Sequence, residues 1–236
     1  MKYAILLDTS ICVGCGACVI ACKSENLLPN NIQRIRIKLG DSQKGLDSFY
    51  VHTRCMHCEF PICASACPTG ALHKTDYGPV LYDANKCIRC KRCIGICSFG
   101  VPQWDEERKL IEKCTLCAHR IKRGMSPACV QTCPTGALEF GEREDMLQKA
   151  RAKAEAINGY VYGDNENGGG SLFVVTNVLP EELGYPVVGK TQPLSMQIRD
   201  IIKPAGGVIT LAILGSLAAI SLIAHRKEKV KEVEHK

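Results

Sequence analysis

The chain has 236 residues, 46% of them hydrophobic and only 6% aromatic, so it can bury one large core or two small ones with few aromatic rings. Its 30 Lys and Arg outnumber its 24 Asp and Glu, but no dense basic tract lies in the cysteine-rich part, so we expect no nucleic-acid partner. The 16 cysteines, about 7% of the chain, exceed ordinary usage and require an explanation other than packing.

The N-terminal segment predicts a strand and no export signal. Residues Tyr3–Leu7 form a five-residue apolar run before Asp8, which is too short for the apolar region of a signal peptide. The same run is typical of a strand that leads into a loop. We therefore expect the chain to carry no export signal of its own.

The next predicted elements are two pairs of strands. Arg34–Leu39 alternates charged and aliphatic residues, and Phe49–His52 is its expected partner. Ala71–Tyr82 reads as a hairpin, with Gly78 and Pro79 at its turn. We interpret these segments as scaffold.

A helix and a further strand are predicted after the last cysteine. Glu142–Ile157 has helical spacing, with one apolar stripe made of Leu147, Ala150, Ala154 and Ile157. The glycine-rich sequence NENGGGSLFVV then enters a strand. We interpret this region as a packing arm and not as a cofactor site.

The C-terminal region predicts one transmembrane helix. Ala205–Ala224 holds no charged residue, and a helix of this length spans roughly the 30 Å hydrocarbon core of a bilayer. Pro204 suits a helix start, and small residues such as Gly207 and Gly215 allow another helix to pack closely. Three Lys or Arg residues precede the segment and five follow it, which predicts a cytoplasmic C-terminus and a periplasmic main domain.

The cysteines form an internal repeat of four groups with none left over. Two groups read CxxCxxCxxxC, the second group has two extra residues before its third cysteine, and the fourth group has nine. All four end in CxxxC. The groups are Cys12, Cys15, Cys18 and Cys22; Cys55, Cys58, Cys63 and Cys67; Cys87, Cys90, Cys93 and Cys97; and Cys114, Cys117, Cys129 and Cys133.

This spacing is typical of 4Fe-4S clusters. Three closely spaced thiolates can bind three irons of one cluster, and in two-cluster ferredoxins the fourth ligates the neighbouring cluster. Pro68 and Pro134 follow the last cysteine of their groups, as in that signature. Structural zinc would leave cysteines unused, and disulfides suit small secreted domains. The four complete groups therefore predict four 4Fe-4S clusters, which transfer single electrons and offer no open iron for catalysis.

The pairing of the groups has two solutions from spacing. Pro68–Lys86, about one ferredoxin crossover long, separates the second and third groups, which then form one two-cluster unit and leave the first to pair with the fourth. Pairing the first group with the second and the third with the fourth also gives each pair one Cys-Pro group. Spacing alone leaves both solutions open.

Three stretches carry a resemblance to a known family. CMHCEFPICASACPTGAL at Cys55, CIRCKRCIGICSFGVPQW at Cys87 and KCTLCAHRIKRGMSPACVQTCPTGAL at Lys113 resemble the beta subunit of membrane-bound formate dehydrogenase. The wider family of four-cluster subunits serves molybdopterin oxidoreductases, including nitrate, polysulfide and dimethyl sulfoxide reductases and some hydrogenases. Cluster motifs therefore do not fix the substrate.

The resemblance implies specific ligand sets. They are Cys12, Cys15, Cys18 and Cys133 for cluster A; Cys114, Cys117, Cys129 and Cys22 for cluster B; Cys55, Cys58, Cys63 and Cys97 for cluster C; and Cys87, Cys90, Cys93 and Cys67 for cluster D. It also implies that clusters A and B lie against a catalytic subunit and that clusters C and D lie nearer a membrane cytochrome b.

The sequence thus predicts an α+β protein with two ferredoxin-like modules, one inserted in the other, and one C-terminal transmembrane helix. The expected divisions are residues 1–54 with 98–140, the inserted module 55–97, a packing arm 141–200, a transmembrane helix 201–225 and a basic tail 226–236.

The expected function is non-catalytic electron transfer in the inner membrane, with membrane lipid around the terminal helix. Electrons would pass from a molybdenum or tungsten pterin formate dehydrogenase subunit to a cytochrome b and the quinone pool. The alternatives are the same role in a membrane hydrogenase or in a polysulfide or dimethyl sulfoxide type of reductase, and, more remotely, a zinc-stapled membrane-anchored binding protein.

Overall fold

A computed structural model of the chain describes residues 1–40, 49–166 and 169–189. The predicted transmembrane helix at 201–225 and the basic tail at 226–236 lie outside these residues, as does the end of the predicted arm. Within the described ranges, no helix combines the length and the apolar character needed to cross a membrane.

The described residues form strands and short helices in the following order. The strands are β1 (Tyr3–Asp8), β2 (Ile35–Gly40), β3 (Phe49–Arg54), β4 (Leu72–Lys74), β5 (Val80–Tyr82), β6 (Gln103–Asp105), β7 (Leu110–Glu112), β8 (Leu138–Glu142), β9 (Tyr160–Tyr162) and β10 (Leu172–Thr176). The helices are α1 (Ala17–Glu25), α2 (Ile62–Ser65), α3 (Arg92–Ile96), α4 (Ala118–Ile121), α5 (Ala128–Gln131) and α6 (Arg143–Ala156), and one 3-10 turn covers Ala84–Lys86.

A four-stranded sheet in the order β8-β1-β10-β9 forms the base of the fold. Strand β1 pairs antiparallel with β8 and parallel with β10, with Ile5 opposite Leu172. Both central strands are almost wholly buried, as expected for strands covered on two faces. The parallel pairing joins the two ends of the described chain.

The two faces of this sheet pack against different parts of the protein. Alternation along β1 turns Ala4 and Leu6 toward α6, where they meet apolar side chains that include Leu147 and Ala150. The intervening residues Ile5 and Leu7, with Leu172 and Val174 of β10, join the core that contains Cys18, Cys22 and Cys129. The sheet therefore supports part of the cysteine-bearing region directly.

Three two-stranded ribbons complete the fold. Strands β2 and β3 pair antiparallel, as do β4 with β5 and β6 with β7. The predicted strands at the N-terminus, at 34–39 and 49–52, and in the hairpin 71–82 are confirmed, and so are the helix at 142–157 and the strand after the glycine-rich loop. The sequence did not predict β6, β7, β8 or β9.

Candidate functional site

All four cysteine groups share one local structure. In each group the third cysteine is the second residue of a short helix: Cys18 in α1, Cys63 in α2, Cys93 in α3 and Cys129 in α5. The long gap in the fourth group does not change this position, and part of that gap, Ala118–Ile121, forms a helix of its own, α4. The helix start, and not the residue count, sets where the third thiol lies.

The loop before each second cysteine also repeats. The residue two positions after the first cysteine has a left-handed backbone in every group: Gly14 (φ 64°), His57 (51°), Arg89 (61°) and Leu116 (54°). Three of these are not glycine, so the loops hold a conformation that L-residues seldom adopt. At Gly14 a side chain is excluded a second time, because a Cβ there would overlap the Tyr50 ring.

This left-handed turn directs a backbone N–H toward a sulfur. The Arg89 N–H donates to Cys87 Sγ with an N to S distance of 3.3 Å, and the Leu116 N–H donates to Cys114 Sγ at 3.4 Å. The backbone of Gly14 acts on Cys12 in the same way, and that of His57 on Cys55. Such donors stabilise a thiolate, which is the form that binds iron.

The structure brings the sixteen thiols together in four sets: the thiols of sets A and C line one cavity each, and in sets B and D the members are the thiols whose charge raises the pKa of Cys22, Cys117 and Cys93. The sets are set A, Cys12, Cys15, Cys18 and Cys133; set B, Cys22, Cys114, Cys117 and Cys129; set C, Cys55, Cys58, Cys63 and Cys97; and set D, Cys67, Cys87, Cys90 and Cys93. Sets A and B combine the first and fourth groups, and sets C and D combine the second and third. Their roles as cluster ligands stay a prediction.

Two of these sets surround cavities. The four thiols of set A line one cavity together with Ile37 and Leu138, and those of set C line another together with Val80, Phe99 and Val101. In the described part of the chain, no group of three or more His, Cys, Asp or Glu side chains is placed to hold a single metal ion. Sulfur donors around a cavity lined largely by apolar side chains match the chemistry of a 4Fe-4S cluster, so the residues present fit this group.

Burial and crowding make several of these thiols weaker acids when no metal is bound. Burial raises the pKa of Cys18 and Cys93 to about 11 and that of Cys22 to about 12, and negative charge on neighbouring thiols raises them further. Iron must therefore displace the protons of Cys18, Cys22 and Cys93, which are otherwise protonated at neutral pH.

Polar side chains that the sequence did not single out lie among the thiols. His52 Nε2 is 3.3 Å from Cys12 Sγ, and burial lowers the pKa of His52 to about 4, so its ring is neutral. The Tyr185 hydroxyl donates to the His52 carbonyl at 3.1 Å. Arg54 and Lys113 are buried cations within the same region.

A signal for these cations is present in the sequence. The residue directly before the first cysteine is Arg54, Lys86 or Lys113 in three of the four groups. The pKa of Arg54 lies above its ordinary value, because the thiolates of Cys129 and Cys114 outweigh the opposing effect of burial. An alignment of the four groups that includes the residue before each first cysteine shows this cationic position.

Exposure differs sharply among the thiols. Cys15 of set A and Cys90 of set D are exposed, whereas the described thiols of set B are all buried. Exposed apolar residues lie close to both in the chain: Ile11 is 41% and Val13 57% exposed before Cys15, and Ile88 is 63% exposed before Cys90. Sets A and D therefore reach the surface.

Comparisons with known proteins agree with this geometry. Residues 46–143 match a family described as a 4Fe-4S dicluster domain, and residues 11–71 match a second family with the same description. The thiosulfate reductase electron transfer subunit of Salmonella typhi is 36% identical over 61% of this chain and 78% of its own length.

Two formate dehydrogenase subunits match more of the chain. The formate dehydrogenase iron-sulfur subunit of Haemophilus influenzae is 30% identical over 95% of this chain and 80% of its own length. The iron-sulfur subunit of the nitrate-inducible formate dehydrogenase of Escherichia coli is 33% identical over 89% and 82%. The chain therefore belongs to the family of iron-sulfur electron-transfer subunits of formate dehydrogenase-type complexes, which are not catalytic by themselves.

Proposed function

We propose that this chain holds four 4Fe-4S clusters through thiol sets A to D and carries electrons from a molybdenum or tungsten pterin formate dehydrogenase subunit to a membrane cytochrome b and the quinone pool. The observation that carries the proposal is that each set joins the first three cysteines of one group to the last cysteine of another group. The formate dehydrogenase relatives support the choice of complex, since they match 89–95% of the chain.

The chain's own residues perform binding and shielding. Bound clusters accept and release one electron each, which requires no open coordination position. The thiolates hold the iron, the N–H groups of residues such as Arg89 and Leu116 donate to sulfur, and apolar side chains such as Val80 keep water away. No acid-base step is assigned to this chain.

The proposed order of electron transfer is A, B, C, D. Cys18 of set A packs in one core with Cys22 and Cys129 of set B, and Lys113, which directly precedes Cys114 of set B, reaches Cys55 of set C. Cys63 of set C packs in one cluster with Cys67 and Cys93 of set D. The exposed thiols Cys15 and Cys90 belong to the two terminal sets. We assign the catalytic subunit to the surface at Cys15 and the cytochrome to the surface at Cys90.

The membrane attachment is part of the same proposal. Residues 201–225 would cross the inner membrane in contact with lipid, with the cluster domain in the periplasm and the tail 226–236 in the cytoplasm. The greater number of Lys and Arg after this segment supports the orientation. A topology reporter fused after Lys236 should report a cytoplasmic location. A periplasmic location would overturn the proposed orientation.

A second candidate is the same electron-transfer role in a reductase of sulfur compounds or dimethyl sulfoxide, or in a membrane hydrogenase. The 36% identity to the thiosulfate reductase subunit favours the reductase. The subunit that copurifies with the chain separates these candidates. A pterin subunit active on formate supports the first, and a nickel-containing subunit or a pterin subunit active on sulfur compounds replaces it.

Metal content tests the cluster assignment itself. Four clusters require about sixteen iron atoms and about sixteen acid-labile sulfides in each anaerobically purified chain. About four zinc ions without iron would instead establish the zinc-stapled binding protein.

A further inference from the structure

Arg54 and Lys113 are buried cations, and each lies close to a thiol that is distant in the chain. Arg54 directly precedes Cys55 of set C, but its Nη2 donates to Cys129 Sγ of set B at 3.5 Å. Lys113 directly precedes Cys114 of set B, but its Nζ lies 3.9 Å from Cys55 Sγ of set C. The two side chains therefore cross over at the junction of sets B and C.

The two cations are enclosed to the same degree but are bonded differently. Arg54 is 3% exposed and Lys113 is 2% exposed. The Lys113 ammonium donates to the carbonyls of Val80 and Cys114 in addition to its sulfur contact. Arg54 Nε and Nη1 are buried and have no hydrogen-bond partner among the described residues. A buried guanidinium needs acceptors for these N–H groups, and the sulfides of a cluster held by set B would supply them.

A cation in this position acts on the charge of a cluster. Each cluster becomes more negative by one unit when it accepts an electron, so a nearby fixed positive charge stabilises the reduced form. Water and salt screen an exposed cation, whereas Arg54 and Lys113 act through the protein interior. Their influence is therefore expected to exceed that of surface residues such as Lys38.

We propose that Arg54 raises the reduction potential of the cluster held by set B and that Lys113 raises that of the cluster held by set C. Neither cation therefore acts mainly on the set to which the next residue in the chain belongs: Cys55 of set C follows Arg54, and Cys114 of set B follows Lys113. This inference rests on the proposed four-cluster function. Its consequence is that the two interior clusters hold an electron more firmly than the same clusters would without these side chains.

The test is a redox titration followed by electron paramagnetic resonance on the full chain, purified anaerobically with its partner subunits. Replacing one ligand of each set by Ser assigns the signals to sets A to D. For Arg54→Gln, the ratio of reduced to oxidised cluster B at the wild-type midpoint should fall at least tenfold, which is about 59 mV for a one-electron couple. Lys113→Met should shift cluster C to the same extent. Lys38→Gln removes an exposed charge and should shift neither.

Three results would overturn the inference. The first is an unchanged potential in an Arg54→Gln chain with wild-type iron content. The second is a shift of cluster C by Arg54→Gln, or of cluster B by Lys113→Met, in place of the expected one. If Arg54→Gln loses iron from set B, the variant Arg54→Lys is measured instead. Retained iron and a near wild-type potential in Arg54→Lys support a role of the charge. Loss of iron from set B in Arg54→Lys as well is the third overturning result. A wild-type chain without iron would reject the proposed function itself, which is a separate outcome.

Discussion

The two halves of the cysteine region are supported in different ways. Sets A and B lie against the four-stranded sheet, and five of their thiols are buried, including Cys22 and Cys129. Sets C and D pack mainly in a smaller buried cluster with the ribbons β4–β5 and β6–β7, which contains Leu72, Cys93 and Ile111, although Cys58 of set C packs against the larger core. Cys93 is the one buried thiol of these two sets. We call these the sheet half and the ribbon half. The first has the larger apolar core and the second a small one, so we expect the second to depend more on bound iron.

Removal of iron should produce the largest difference in amide exchange between the sheet half and the ribbon half. With the ligands released, we expect amide exchange in β4–β7 to accelerate roughly a thousandfold, because metal binding and folding are coupled in regions with small cores. Exchange in β1 and β10 should change less than about tenfold. Hydrogen exchange of the iron-free chain measures both. Equal loss of protection in the two halves would contradict the comparison.

Truncation of the packed cores sharpens the same contrast. Phe173 is fully buried between the sheet and α6, and Phe173→Ala should cost about 3–5 kcal/mol of unfolding free energy. Ile111 is also buried but belongs to the small core, and Ile111→Ala should cost about 2 kcal/mol. Denaturant unfolding of the loaded chain compares them. A larger loss for Ile111→Ala would show that the ribbon half has the stronger packing.

A smaller effect is expected where the segment that follows β10 meets β3. The buried Tyr185 hydroxyl donates to the His52 carbonyl, and its ring stacks on Tyr162 with centroids 4.8 Å apart. Tyr185→Phe keeps the ring and removes the hydrogen bond, which should cost about 1 kcal/mol. Tyr160→Phe, at an exposed position, is the matched control and should leave the thermal midpoint unchanged. Equal thermal midpoints for Tyr185→Phe and Tyr160→Phe would show that the Tyr185 hydrogen bond does not stabilise the sheet half.

The smallest effect should come from a surface ion pair. Glu25 contacts His119 and Arg120 at 2.7 Å each, and the hydrogen bond from His119, with that from Arg120, lowers the pKa of Glu25 below its ordinary value of 4.5. Glu25→Gln should cost about 0.5 kcal/mol at neutral pH. The contribution of a carboxylate with a lowered pKa is present above its ordinary pKa and is lost as pH falls through the folded-state value. The unfolding free energies of the wild type and of Glu25→Gln, measured from neutral pH to below the ordinary pKa of 4.5, should become equal in acid.

Local patterns allowed part of the fold to be predicted. The apolar run of β1, the alternation in β2 and the helical stripe of α6 each carry their own signal, and all three elements are present. Strands β6 and β7 have three residues each, too few for a period, and their turn depends on Asp105, whose carboxylate accepts the N–H groups of Glu107 and Arg108. The pairing of β1 with β10 joins residues far apart in sequence and leaves no local pattern.

The same limit applies to the site. Cysteine spacing predicts which residues can bind iron, because two-residue separations place thiols around one cluster. Spacing left the pairing of the groups open, since both solutions had one Cys-Pro group in each pair. The crossing of Arg54 and Lys113 could not be predicted from neighbours in the chain, because each side chain reaches a thiol 58 or more positions away.

The position of the third cysteine at a helix start has a consequence for how such proteins are recognised and modified. A search pattern that counts residues between the second and third cysteines would reject the fourth group, although its loop and helix repeat those of the other three. That interval is a length-tolerant joint, already enlarged by α4 between Cys117 and Cys129. We therefore expect a peptide inserted in this interval to leave the shape of the loop before it and of the helix after it unchanged.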